Sequence, residues 1–443
     1  MSSLKYAACA VALTVAIPAS FSVPARSESG TFGSVAVQPG PVVDDKGRIL
    51  IPDSSIERPE DRGKSAHTHH LIFVPKGQVG PTISPNNTSQ ESPASIACVY
   101  GLVTTSNECN PSSVTKLSRG GSNIIAIVDA FHNPNAVSDL KQFSSHFGLL
   151  QPNVTVVFCN ASTCGVSTPP RFNSGWALEI ALDVQWAHAI APKAKIVLIE
   201  ASSNSLKDLL RAEDKAGQIV KGAGGGEVSN SWGTSEFSGE TTLDSHFATT
   251  DVVYFASTGD SRGTQWPSVS QFVAAVGGTT INRKSTGGFQ SESAWKHTGG
   301  GLSSVISRPT YQNGISGQVG NRRGVPDIAA DADPASGVPV LCTPCGGWFQ
   351  VGGTSLASPL VAAITNLAAT AASHFAASTK AELTSVYHDL GDATKFNDVK
   401  TGVCGADPAV AGWDRCTGVG TPHTPGGLKN DITPAITEAE AQQ

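Results

Sequence analysis

Gly352-Gly353-Thr354-Ser355-Leu356-Ala357-Ser358-Pro359 holds one serine between small residues, and an apolar run over residues 360–372 follows it. Small neighbours let another backbone come close to the hydroxyl. A helix that begins at a nucleophile points the positive end of its dipole at the reaction centre. The arrangement suits acyl transfer. A bare Gly-Thr-Ser more often marks a glycine-rich turn before a core helix, so the question is which base could activate Ser355.

Outward from this octet, apolar β runs alternate with helical stretches from Ser95 onward. The pattern predicts strands over 124–128, 154–158, 196–199, 252–256 and 272–276. It predicts helices over 136–147, 178–189, 205–221 and 360–372. Short β-branched runs between helices of this length imply an α/β fold, a parallel sheet with helices on both faces.

The chain has 443 residues, 39% hydrophobic and only 15% charged, with a formal net charge of −6. It is globular in composition, and the charge excludes the basic face a nucleic-acid partner needs. Residues 1–25 resemble a secretory signal: Lys5, an apolar stretch over 7–17 and the small residues Val23-Pro24-Ala25. That apolar run is too short for a bilayer span, and no later segment is read as one. The chain is therefore expected to be secreted, with no membrane partner, as a monomer. Eight cysteines follow the signal. They fall in local pairs, which favours disulfides 98–109, 159–164, 342–345 and 404–416. A redox or zinc role for Cys342-x-x-Cys345 is the alternative. Residues 26–92, rich in Pro, Gly, Ser and charge, read as a weakly structured leader or short pro-region. The cluster His67, His69 and His70 within it is expected to be a solvated polar segment rather than a metal site. A domain over 93–432 and a polar tail over 433–443 complete the organisation.

The octet is similar to the nucleophile motif of the subtilisin-like superfamily, Gly-Thr-Ser-x-x-x-Pro. Subtilisins supply an Asp at the end of a first strand, which Ile124-Ile125-Ala126-Ile127-Val128-Asp129 imitates. They also supply a His from a His-Gly-Thr-His motif, which this chain lacks. Where that helix belongs, Glu179 and Asp183 stand four residues apart on one helix face, among Ile180, Leu182, Val184 and Trp186. Two carboxyls side by side in an apolar setting repel when both ionise, so they should share a proton.

This combination resembles the sedolisin family, the serine-carboxyl peptidases, over roughly residues 92 to 430. The resemblance implies that Ser355 is the nucleophile, Glu179 its general base and Asp183 the residue that orients Glu179. It implies that Asp260, in Ser257-Thr258-Gly259-Asp260-Ser261, serves the oxyanion hole, and that Ser229-Asn230-Ser231-Trp232-Gly233 ends a substrate-binding strand. An aspartate stabilises an oxyanion only when protonated, whereas the base must be ionised, so an acidic optimum follows. The resemblance also implies one Ca2+ per chain, held by the carboxylates of Asp398 and Asp414 and the carbonyls of Val399, Val410 and Gly412.

Three departures stand out. Val410 occupies a position where the family has Gly. The family's large pro-domain has no counterpart between the signal and residue 92. Arg262 follows Asp260-Ser261 where the family has Gly; it would lower the Asp260 pKa, meet an acidic substrate side chain, or point to solvent. The expectation is a secreted endopeptidase acting on proteins or peptides in acid. A tripeptidyl-peptidase and a catalytically silent binding protein on the same fold are the rivals.

Overall fold

The computed structural model describes residues 30–43, 46–78, 83–85 and 90–423. The signal and tail segments lie outside the described residues.

A nine-stranded sheet forms the centre. Its parallel run, in spatial order, is Ile328–Asp331, Ala274–Arg283, Val252–Ser257, Gly226–Asn230, Ile124–Ala130, Lys195–Ala201 and Val154–Cys159. Ile124–Ala130 and Val252–Ser257 are buried at every position, as expected for strands covered on both faces. One apolar cluster packs the helix Leu206–Gly222 on one face. Another packs Ala136–Phe147, Ser174–Ile190 and Thr354–Ala372 on the other. The α/β, subtilisin-like layering read from the sequence is therefore present.

The expected helices are found, with Ser174–Ile190 and Thr354–Ala372 each starting earlier than the apolar pattern indicated. Thr354–Ala372 is, by length and composition, long and apolar enough to cross a bilayer, contrary to the expectation. It is packed into the core instead, buried from Thr354 through Asn366. The strand expected over 272–276 is shifted to Ala274–Arg283. The apolar pattern does not mark Gly226–Asn230, whose end only the resemblance implied, or Ile328–Asp331, because Glu227, Ser229, Asn230 and Asp331 break their apolar character. Their burial comes from neighbours far away in sequence.

A larger correction concerns the segment read as a weakly structured leader. Val35–Val43, Gly47–Pro52 and Leu71–Pro75 join Gly347–Gly352 and Val338–Cys342 in a six-stranded antiparallel sheet. Ile49, Leu50, Ile72, Phe73 and Val74 are buried in the main core. Charge concentrates in the loop between the second and third of these strands, and Pro39 and Pro41 stand inside the first, which masked the strand signal.

The chain enters the central sheet at Ile124–Ala130, builds one flank, and returns to build the other from Gly226–Asn230. In an α/β sheet this reversal leaves a crevice at the carboxyl ends of the strands. Disulfides join Cys98–Cys109, Cys159–Cys164, Cys342–Cys345 and Cys404–Cys416, the local pairing read from the sequence.

The core holds many carboxyl groups. Glu200, Glu213, Glu227 and Glu382 are all buried. Burial pushes Glu200 up to about 7 and, with help from Asp389, Glu382 up to about 8; Glu213 and Glu227 are also raised. The folded state therefore binds these protons more tightly than the unfolded chain does. The resulting stability is complete below the unfolded carboxyl value near pH 4 and is lost as pH rises through about 7 to 8. At about 1.4 kcal/mol per pKa unit, Glu200 and Glu382 each contribute a few kcal/mol, on the order of 3 to 5, to that pH dependence. Thermal unfolding followed by circular dichroism is expected to give a midpoint several degrees higher at about pH 4.5 than at about pH 8.5. The opposite order would contradict this account.

Candidate active site

Ser355 is the second residue of the helix Thr354–Ala372 and is fully buried. Gly353 caps the helix with φ 108°, a left-handed angle that favours glycine. The approach there is close: a Cβ on Gly353 would lie 2.2 Å from the His69 carbonyl oxygen and 2.5 Å from Asp260 Oδ2. Pro359 stands inside the helix and cannot donate to the Ser355 carbonyl four residues earlier. The Ser231 hydroxyl, 3.2 Å away, takes that place.

Glu179 and Asp183 project from the buried helix Ser174–Ile190, whose Asn173 cap accepts from Trp176 N–H. Ser355 Oγ donates to Glu179 Oε2 at 2.9 Å. Ser231 Oγ lies 2.9 Å from Asp183 Oδ1. One hydroxyl hydrogen cannot fully serve both Asp183 and the Ser355 carbonyl. A protonated Asp183 removes the conflict by donating to Ser231, which then donates to Ser355. Burial raises Asp183, the neighbouring Glu179 charge raises it further, and burial raises Glu179 against the hydrogen bond from Ser355.

Asp260 follows the strand Val252–Ser257, at the carboxyl edge of the sheet. Its Oδ1 accepts from Thr354 N–H at 2.7 Å and Thr354 Oγ at 2.9 Å, which fixes the carboxyl beside the helix start. Its Oδ2 is buried without a partner. Burial raises Asp260, so Oδ2 can carry a proton toward the space next to Ser355. Arg262 does not approach this carboxyl; it is 63% exposed and lies 3.9 Å from Asp407. The structure thus brings Ser355, Glu179, Asp183 and Asp260 into one crevice.

Two features were missed. Asp129, noted only as an imitation of a subtilisin strand end, is fully buried with neither oxygen partnered. Burial raises its pKa, and Asp183 and Glu179 raise it further, so it belongs to the same carboxyl group of side chains. The histidine cluster is the second feature. His67, His69 and His70 are all buried rather than solvated. The His69 N–H donates to Ser355 Oγ at 3.1 Å and its carbonyl accepts from Ser355 N–H at 3.0 Å. His70 Nδ1 lies 2.8 Å from Glu179 Oε2, and burial takes the His70 pKa down to about 3. The strand-like run Leu71-Ile72-Phe73-Val74 directly after the cluster was the signal that could have placed it. His188, by contrast, is bonded to the Leu150 carbonyl and takes no part in the site.

The five residues expected to hold calcium lie in one region. Gly412 N–H donates to Asp398 Oδ2 at 3.0 Å and Val410 N–H to Asp414 Oδ2 at 2.9 Å. Asp398 Oδ1 is buried without a partner. Gly412 has φ 78°, whereas Val410 has no left-handed angle, so valine costs nothing there. Val399 is buried and Val410 exposed, which carbonyl ligation tolerates. Among the described residues no three His, Cys, Asp or Glu side chains gather as a metal site, so any ion here would depend on carbonyls as well.

No protein-family model matches the chain. Kumamolisin from Bacillus sp. (strain MN-32) is 29% identical over 335 residues, 68% of this chain and 59% of kumamolisin's length. Sedolisin from Pseudomonas sp. (strain 101) is 26% identical across 92% of this chain and 71% of its own. The solved structure of Pseudomonas sedolisin, a serine-carboxyl proteinase complexed with pseudo-iodotyrostatin, superposes with a TM-score of 0.62 at 24% identity, covering 76% of this chain and 96% of that one. Sphericase superposes at 0.50, with 19% identity over 74% of this chain. Sequence relatives and fold agree: the chain is similar to the peptidases of the sedolisin family.

Proposed function

We propose that this protein is a secreted endopeptidase that hydrolyses proteins or peptides in acid, with Ser355 as nucleophile, Glu179 as its base and Asp183 as the positioning group behind Glu179. The observation that carries this is the 2.9 Å hydrogen bond from Ser355 Oγ to Glu179 Oε2 inside a buried carboxyl cluster. In a dry crevice a carboxylate is a stronger proton acceptor than in water. Asp260 Oδ2, protonated, would donate to the oxyanion together with the Ser355 N–H. Asp129 and Asp183 would stay protonated and so spare Glu179 a second and third negative neighbour.

Endopeptidase action is favoured over release of tripeptides because residues 66–75 cross Ser355 without ending there. Ala66 N–H still finds a partner, the Asn204 carbonyl, at 2.8 Å. Incubation with a denatured protein at about pH 3 to 5 tests this. Peptides of mixed length are the expected products. Tripeptides alone would move the assignment to a tripeptidyl-peptidase, and no products would favour a silent binding protein. Four disulfides suit an oxidising compartment outside the cell.

Calcium is proposed for the loop of Asp398 and Asp414, with carbonyls of Val399, Val410 and Gly412. Bound there, the ion would tie this loop to the rest of the fold and supply no step of the chemistry. Chelation is expected to lower the thermal midpoint by several degrees, and Asp414→Ala to remove that response. An unchanged midpoint on chelation in the wild type would contradict the site.

A further inference from the structure

The segment crossing Ser355 makes the contacts a bound peptide would make. His67 and Thr68 pair antiparallel with Gly233 and Trp232. The His69 N–H lies 3.3 Å from the Ser231 carbonyl, and the His69 carbonyl accepts from Ser355 N–H. On the other side of the nucleophile, Leu71 pairs with Gly352 and Ile72 with Val351. Main-chain pairing of this kind fixes direction and register, while pockets read alternate side chains. Here the register puts the His69 carbonyl next to Asp260 Oδ2, since both lie within 2.5 Å of the position a Gly353 Cβ would take.

The His69 ring fills such a pocket. Its Nδ1 is 2.6 Å from Ser257 Oγ and its Nε2 2.7 Å from Gln265 Oε1. An amide oxygen only accepts, so Nε2 carries the hydrogen and Nδ1 accepts from the Ser257 hydroxyl. Gln265 is held tightly: a Cβ added at Gly233 or Gly259 would meet its amide at 2.8 or 2.9 Å.

We propose that the His69–His70 peptide bond is the first substrate of this site, and that Ser257 and Gln265 form the pocket that recognises histidine on its acyl side. This rests on the peptidase activity proposed above and adds its specificity and its first target. Ser355 Oγ adds to the His69 carbonyl carbon and its proton passes to Glu179. The bond to His70 breaks, and the proton goes to the His70 nitrogen. Water then hydrolyses the ester on Ser355, leaving a carboxylate on His69 and restoring the hydroxyl. Until that cut, the His70 ring occupies the same Glu179 oxygen that Ser355 uses, and the cleft is filled by the chain itself. An aliphatic side chain in the pocket would leave the Gln265 amide oxygen without its donor and the Ser257 hydroxyl with only the Asn230 carbonyl at 3.4 Å, which disfavours it roughly 10-fold or more.

The test is to acidify the purified full chain beside Ser355→Ala, with intact-mass and N-terminal analysis over time and a denatured protein present in parallel samples. A new N-terminus at His70, formed at a rate independent of protein concentration and absent in Ser355→Ala, is expected. In peptides, Gln265→Ala should lower the preference for His over Leu on the acyl side roughly 10-fold or more, and Gln265→Glu, which keeps the acceptor, should retain it. Digestion of the denatured protein with His69–His70 left intact overturns the inference while the peptidase activity stands. Digestion of neither overturns both. An unchanged His/Leu ratio in Gln265→Ala overturns the recognition assigned to the pocket.

Discussion

Ser355→Ala is expected to lower kcat by roughly 10⁴-fold or more on a denatured protein substrate, with KM little changed. The hydroxyl makes no contact that the fold depends on: it donates to Glu179 and accepts from His69, both within the cleft. The expected loss is therefore chemical, and the thermal midpoint should stay near that of the wild type. Glu179→Gln should cost a similar factor. An amide of the same shape still packs in the helix but accepts no proton, and it leaves Asp183 without the neighbouring charge that raises it. Groups that act as a unit are not additive, so the double variant should be no worse than either single one. Additive losses would show that Glu179 does not act through Ser355.

Asp260→Asn is expected to move the basic limb of the rate profile toward neutral pH by at least about one unit. Burial raises Asp260, which extends the pH range in which Oδ2 holds a proton. As pH climbs through that raised value the proton leaves, and a negative Oδ2 then opposes the developing oxyanion. The rate falls on the alkaline side for that reason. Asparagine donates at every pH, so that limb should be displaced. The acid limb belongs to the Glu179–Asp183 pair, which must lose one proton before Glu179 can act, and it should remain. The segment around His69 adds to the burial of this pair; once it leaves, water enters and the acid limb should sit lower than in the closed chain. A basic limb identical in wild type and Asp260→Asn would remove Asp260 from the oxyanion role.

Much of the site could be read from the sequence because its signals are local. Glu179 and Asp183 are one helical turn apart in an apolar run, and Ser355 sits in an octet of small residues. Asp260 follows a β-branched strand directly. The helix Ala136–Phe147 and the disulfides also depend on short spacings. What could not be read depends on distant partners. Leu71–Pro75 is a strand because Gly347–Gly352 lies beside it, nearly the whole domain away. Gly226–Asn230, with its polar residues, is a strand because Ile124–Ala130 and Val252–Ser257 flank it. Asp129 ends a legible strand, yet its place among the carboxyls follows from the packing of the Glu179 helix over the sheet. His69 and His70 looked like solvated polar residues because nothing local links them to Ser355.

The most direct test of a serine nucleophile served by carboxylates is the pH dependence of kcat/KM on a denatured protein, with Ser355→Ala as the control. A maximum between about pH 3 and 5 that vanishes in Ser355→Ala is predicted. A maximum near about pH 8, where a histidine-served serine works, would contradict the account.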